Sequence, residues 1–105
     1  MADRWIMRQN PWTWGGEFVG YREGDRLWTH LGECIGAFTG GEVFDTNGVY
    51  LGEIRGENRL IRKLSKVGRT GPRPGSPMSR VGIVKSVNKV GKVMLVGYED
   101  FPFKG

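Results

Sequence analysis

The chain has one thiol and one imidazole, Cys34 and His30, and these are its only obvious nucleophile and base. A thiol becomes a nucleophile beside a base that a third group orients. Their spacing across an expected turn can bring them together, but no orienting third group is apparent. Cys34 also shares a sixteen-residue column with Phe18 and Tyr50, which reads as a small packed hydrophobe. One Cys and one His do not make a tetrahedral metal set without carboxylates from elsewhere. Glu17 and Glu33 occupy one column and are candidates for acid–base chemistry, yet the next member of that column is Val49. A symmetric carboxylate site is therefore not expected, and solvated turn-edge charge is. The expectation is a non-enzymatic protein with no catalytic residue, no metal and no cofactor.

Charge is distributed unevenly. Residues 1–66 carry nine basic and nine acidic side chains, and residues 67–105 carry seven and two, so the net charge of +5 lies in the tail. No acidic residue falls between Glu57 and Glu99, whereas ten basic ones do. Such asymmetry points to an anionic partner. Candidate polyanion contacts are Arg69, Arg73, Arg80, Lys85, Lys89 and Lys92. Aromatic interleaving, which stacks single-stranded bases, is missing from this stretch. Nucleic-acid binding through it would be of low sequence specificity.

The same tail carries Val81, Val84, Val87, Val90, Val93 and Val96, one valine every third residue. Neither the helical period of 3.6 nor the strand period of 2 puts these on one face. Polyproline II, with three residues per turn, does. The competing reading is a hairpin, IVKSV-NKVG-KVMLV. Upstream, the Pro/Gly-rich stretch from Val67 to Pro77 favours extended backbone over helix. An extended segment from Arg69 to Val96 would measure roughly 85 Å. A compact array of some sixty-five residues is only about 30 Å across. The valine row must then bend, stay exposed or pack on other chains. An exposed apolar row is unfavourable, so these valines are candidate assembly residues, and a homo-oligomer is expected. An unidentified protein partner is the other possibility for them.

These groups are positioned by a repeat. GGEFVGYREGDRLWT begins at Gly15, LGECIGAFTGGEVFD at Leu31 and NGVYLGEIRGENRLI at Asn47, each row sixteen residues after the last. Three glycine columns align (16/32/48, 20/36/52 and 24/40/56), as do the apolar columns Trp12/Trp28/Phe44/Leu60 and Val19/Ile35/Leu51. A fixed short period means one supersecondary unit arrayed. Each unit reads as a β-hairpin, with Asn47-Gly48 as its strongest turn signal and a type I′ turn expected there. The mid-strand glycines Gly20, Gly36 and Gly52 mark bulges or close backbone approach. A lone hairpin is marginal in water, so neighbouring units must supply the core. Arg4–Met7 reads as a strand without its hairpin partner, and Arg59–Leu64 as another. Pairing Trp5-Ile6 with Leu60-Ile61 would close the array and hide its edges.

The G-E-x-(V/I/L)-G cores, the aromatics Trp28 and Phe44 and the basic period-three tail resemble the bacterial 4-fold beta flower family over nearly the whole chain. That resemblance implies a fold and carries no activity, ligand or functional residue to this sequence. The expected class is all-β, a closed array of four short hairpins over residues 1–66, with residues 67–105 as a Pro/Gly linker and extended basic tail. At 105 residues the length suits one domain. No signal-peptide pattern and no eighteen-residue apolar run is present, so no membrane association and a cytoplasmic location are expected.

Overall fold

The computed structural model describes residues 8–56, 58–75, 77–80 and 82–103. The class is all-β. The strands are β1 (Arg8–Gln9), β2 (Trp12–Thr13), β3 (Gly20–Glu23), β4 (Arg26–Thr29), β5 (Cys34–Thr39), β6 (Glu42–Asp45), β7 (Tyr50–Arg55), β8 (Arg59–Lys63) and β9 (Tyr98–Asp100). One 3-10 turn, Leu64–Lys66, follows β8.

β3 to β8 pair consecutively and antiparallel, and the sheet is nearly closed like a barrel. Its two ends are joined by one short stretch of chain. Arg8 and Gln9 pair antiparallel with β3, while Trp12 and Thr13 pair parallel with Arg59 and Leu60 of β8. Pro11, which cannot donate a ladder hydrogen bond, sits between the two halves and accepts from the Val19 N–H at 3.1 Å. β9 then covers the remaining edge of β8, pairing Ile61 with Asp100 and Lys63 with Tyr98. Asp100 also accepts from the Gly15 N–H at 3.1 Å, so the end of the chain ties the first hairpin to the last. The expected pairing partner Trp5-Ile6 lies outside the described residues.

One corner recurs at the sixteen-residue spacing. Gly16, Gly32 and Gly48 donate to the carbonyls of Thr13, Thr29 and Asp45, and each of those three residues donates to the carbonyl four residues on. The side-chain oxygens of Thr13, Thr29 and Asp45 accept the N–H groups of Glu17, Glu33 and Val49. What is constant in that last column is a backbone donor, which is why Val49 can stand where two glutamates do. The glycines have φ of 84–99°, the left-handed region that glycine enters without steric cost. Asn47 does not share it, because no non-glycine among the described residues has positive φ. The corner is thus a three-residue loop ending in a left-handed glycine rather than the type I′ turn expected at Asn47-Gly48. The carboxylate of Asp45 supports this loop by accepting from both Asn47 and Val49, as the Thr29 hydroxyl does from Leu31 and Glu33.

Gly20, Gly36 and Gly52 are sites of close approach, as expected. A Cβ on Gly20 or Gly36 would meet the facing carbonyl oxygen of Trp28 or Phe44 at 2.0 Å. Beside these contacts the ladder shifts register, between Leu27 and Trp28 and between Val43 and Phe44. Inside, Val19, Leu27, Phe38, Val43, Leu60 and Phe101 form the core, with Ile35, Leu51, Ile54 and Phe103 packed against it. The column Trp12, Trp28, Phe44 is also buried. Phe18 and Tyr50 meet Trp12 and Phe44 edge-on, at 5.3 and 6.2 Å between centroids. Cys34 takes the equivalent place opposite Trp28.

Candidate functional site

The tail is laid around the corner end of the barrel, in reverse order of the hairpins. The Gly71 N–H donates to the Gly48 carbonyl, Arg80 to Gly32 and Lys89 to Gly16, at 2.7–2.8 Å. These contacts are nine residues apart along the tail and sixteen apart along the barrel. Ile83, between the last two, donates to His30, and Lys92, beyond them, donates to Trp14. The indole N–H groups of Trp12 and Trp14 donate to the carbonyls of Val87 and Val93, both at 2.9 Å, and Asn88 accepts from the Phe18 N–H. Arg26 reaches the carbonyls of Pro74 and Gly75, and Arg59 reaches that of Val90. No helix or strand occurs in the described part of 71–95, so the hairpin IVKSV-NKVG-KVMLV does not form. The molecule is 38 Å in its longest dimension, and the tail bends around it.

Bending does not hide the valines. Val84, Val87, Val90, Val93 and Val96 are 84–100% exposed, and Met78, in the same phase, is 88% exposed. Val81 lies outside the described residues. Ile83, Ser86 and Leu95 are partly covered, while Lys85 and the whole run 87–94 are exposed along with the valines. Hydrogen bonds with the barrel's backbone and side chains hold the row. It is a fixed apolar ridge.

The basic side chains are engaged to different degrees. Lys89 lies 4.1 Å from the Trp12 ring centroid, Lys92 5.6 Å from Trp14, and the Arg80 guanidinium 5.2 Å from Trp28. Such stacking is worth about 0.5–1 kcal/mol where solvent reaches it. Arg80 also pairs with Glu23, and Arg69 with Glu42 at 3.1 Å. Arg73 and Lys85 make no ion pair or side-chain hydrogen bond among the described residues. Of the six predicted polyanion contacts, the fold brings Lys89 and Lys92 together, beside Arg59, around a groove of about 300 Å³. The other four are spread along the tail.

A charged cluster fastens the start of the tail, and the sequence did not single it out. Lys66 donates to Glu42 at 2.5 Å and to Glu53 at 2.9 Å. Tyr50 donates to Glu53 at 3.0 Å and accepts from the Lys63 N–H. The Lys66 hydrogen bond holds the Glu42 carboxyl below its ordinary range, and the two carboxylates raise the Lys66 ammonium. Burial pushes the Tyr50 phenol up to about 12. Lys66, Glu42 and Glu53 come from three elements, so no local spacing announced them.

No hydrogen bond joins Cys34 to His30 among the described residues. The thiol is directed to the Gly36 carbonyl at 3.6 Å, and His30 Nε2 is buried without a hydrogen-bond partner among the described residues. The His30 ring stands 6.3 Å from Phe18. No group of three His, Cys, Asp or Glu suited to a metal ion occurs among the described residues. No helix there is long and apolar enough to cross a membrane. Comparisons with family models, curated proteins and solved structures found no match to this chain.

Proposed function

We propose that this chain is a non-enzymatic assembly module of the cytoplasm, whose valine ridge packs on a partner chain, with further copies of itself as the first partner. The observation that carries this reading is the ridge: six apolar side chains in one phase, each at least 84% exposed, on backbone that is tied down. Monomeric proteins rarely leave large contiguous apolar patches in water. Because the ridge is already fixed by the barrel, binding costs little ordering entropy.

Sizing by light scattering tests it. The wild type should run larger than one chain, and Val84→Asp with Val90→Asp should return it to a monomer with unchanged melting. Arg73→Glu with Lys85→Glu should leave the size unaltered. A wild type that stays monomeric at high concentration ends the self-assembly reading.

A second reading is supported by the groove of Arg59, Lys89 and Lys92. These cations, with Arg73 and Lys85, would bind nucleic acid or another polyanion without regard to sequence, because phosphate contacts carry no sequence information. Filter binding of mixed-sequence DNA and RNA in low salt tests it, and absence of binding removes it.

A further inference from the structure

The second and third corners carry the same scaffold with different fillings. At the second, Tyr21 faces Trp28 across the hairpin and stacks on it, 6.3 Å between centroids and 16° between planes. Arg80 of the tail lies over the same indole and pairs with Glu23. Sixteen residues on, the equivalents of Tyr21, Glu23 and Trp28 are Ala37, Thr39 and Phe44. Ala37 faces Phe44 in the same register. The tail residue equivalent to Arg80 is Gly71, which approaches the Phe44 ring so closely that a Cβ there would stand 2.7 Å from it. Three large side chains have been replaced by small ones at one place. There a crevice of about 220 Å³ opens, bounded by Asp25, Arg26, Ala37, Phe38, Thr39, Phe44, Pro72 and Pro74.

We infer that this crevice is a binding site for a single aromatic ring carrying an N–H or O–H donor, an indole or a phenol. The shape follows from the internal comparison, since the corresponding space at the second corner is occupied by a phenol ring stacked on an aromatic. The walls suit a flat ring, with Phe44 on one side and two prolines on the tail. Arg26 holds the tail wall by donating to the carbonyls of Pro74 and Gly75 at 2.9 and 3.1 Å, so the crevice is preformed and does not have to be opened by the ligand. The donor preference comes from Asp25 and Thr39. Both are exposed at this crevice, and neither side chain makes a hydrogen bond or ion pair among the described residues. A carboxylate there accepts from a ring donor, which p-cresol has and 4-methylanisole lacks. The site is independent of the valine ridge, and its failure would leave the assembly reading untouched.

Amide shifts in ¹⁵N-labelled full-length protein, titrated with indole, p-cresol and 4-methylanisole, test the assignment. Indole and p-cresol should give saturable shifts at Ala37, Thr39, Phe44 and Gly71 with millimolar affinity, and 4-methylanisole, without the donor, should bind more weakly. Ala37→Tyr rebuilds the second corner's filling. It should abolish those shifts and raise the melting temperature. Should that variant fail to fold, Ala37→Val narrows the crevice and should weaken indole severalfold. N-acetyltryptophanamide binding better than indole assigns the ring to a partner's side chain, and the reverse order to a small molecule. The assignment is overturned if no saturable shift appears up to the solubility limit of indole, or if indole binds Ala37→Val or a folded Ala37→Tyr as it binds the wild type.

Discussion

A Cβ atom on Gly36 would stand 2.0 Å from the Phe44 carbonyl oxygen and 2.9 Å from the Asp45 Cα. Both obstacles are backbone, so no rotamer change can relieve them. Gly36→Ala should therefore cost at the upper end of the about 1–3 kcal/mol typical of overpacking, or beyond it. A denaturation midpoint equal to wild type would show that the hairpin widens freely there. This close approach was legible, because a glycine inside an apolar run has few other uses. Cys34 was legible for a related reason. Its column mates are rings, and the structure places it in the same seat opposite Trp28. The Thr13/Thr29/Asp45 column was equally regular in the sequence and was missed. Its members differ in type, and they share only a side-chain oxygen that accepts the N–H four residues on.

Among the elements, the 3-10 turn at Leu64–Lys66 is where the barrel hands over to the tail, and its hold is electrostatic. Glu42 is depressed below its ordinary 4.5, first by the Lys66 hydrogen bond. A carboxyl with a depressed folded pKa stabilises the fold fully above its unfolded value. It loses that contribution as pH falls through the folded value. Melting temperature should thus drop on acidification below about 4.5, and Glu42→Gln should flatten the curve in that window while lowering stability at pH 7. Equal acid slopes in the two proteins would show that the cluster does not fasten the tail. The hairpins from β3 to β8 were readable from the glycine columns. Closure was expected as well, through Trp5-Ile6, but the parallel pairing of β2 with β8 that joins the ends was not, because a contact of that separation leaves no periodic trace. β9 escaped notice for the same reason. Its three residues are too few to stand out as a strand, and it exists because the edge of β8 needs a partner.

At the scale of the whole molecule, the valine phase was visible in the sequence, and its exposure was one of three outcomes left open. Which phase faces outward is decided by where the corner carbonyls and the tryptophan N–H groups hold the tail, and that depends on the barrel. The nine-residue register of Gly71, Arg80 and Lys89 becomes recognisable only once the corners are known to lie at Gly48, Gly32 and Gly16. The path also alters what the basic tail can offer a polyanion. Six free cations would give a slope of log K against log salt near about −5, at about −0.9 for each duplex phosphate neutralised. Arg69 and Arg80 are already paired with Glu42 and Glu23, so a phosphate gains from them only by displacing a carboxylate. Arg73, Lys85, Lys89 and Lys92 have no such competitor among the described residues, and stacking on indoles leaves the charges of Lys89 and Lys92 in place. Any binding to duplex DNA should then show a slope no steeper than about −4 from these four, or about −4.5 with Arg59 of the groove. Glu23→Gln with Glu42→Gln would free the two arginines and steepen it toward the six-cation value. A wild-type slope already at that value, unchanged by the two substitutions, would mean that the ion pairs do not hold in solution.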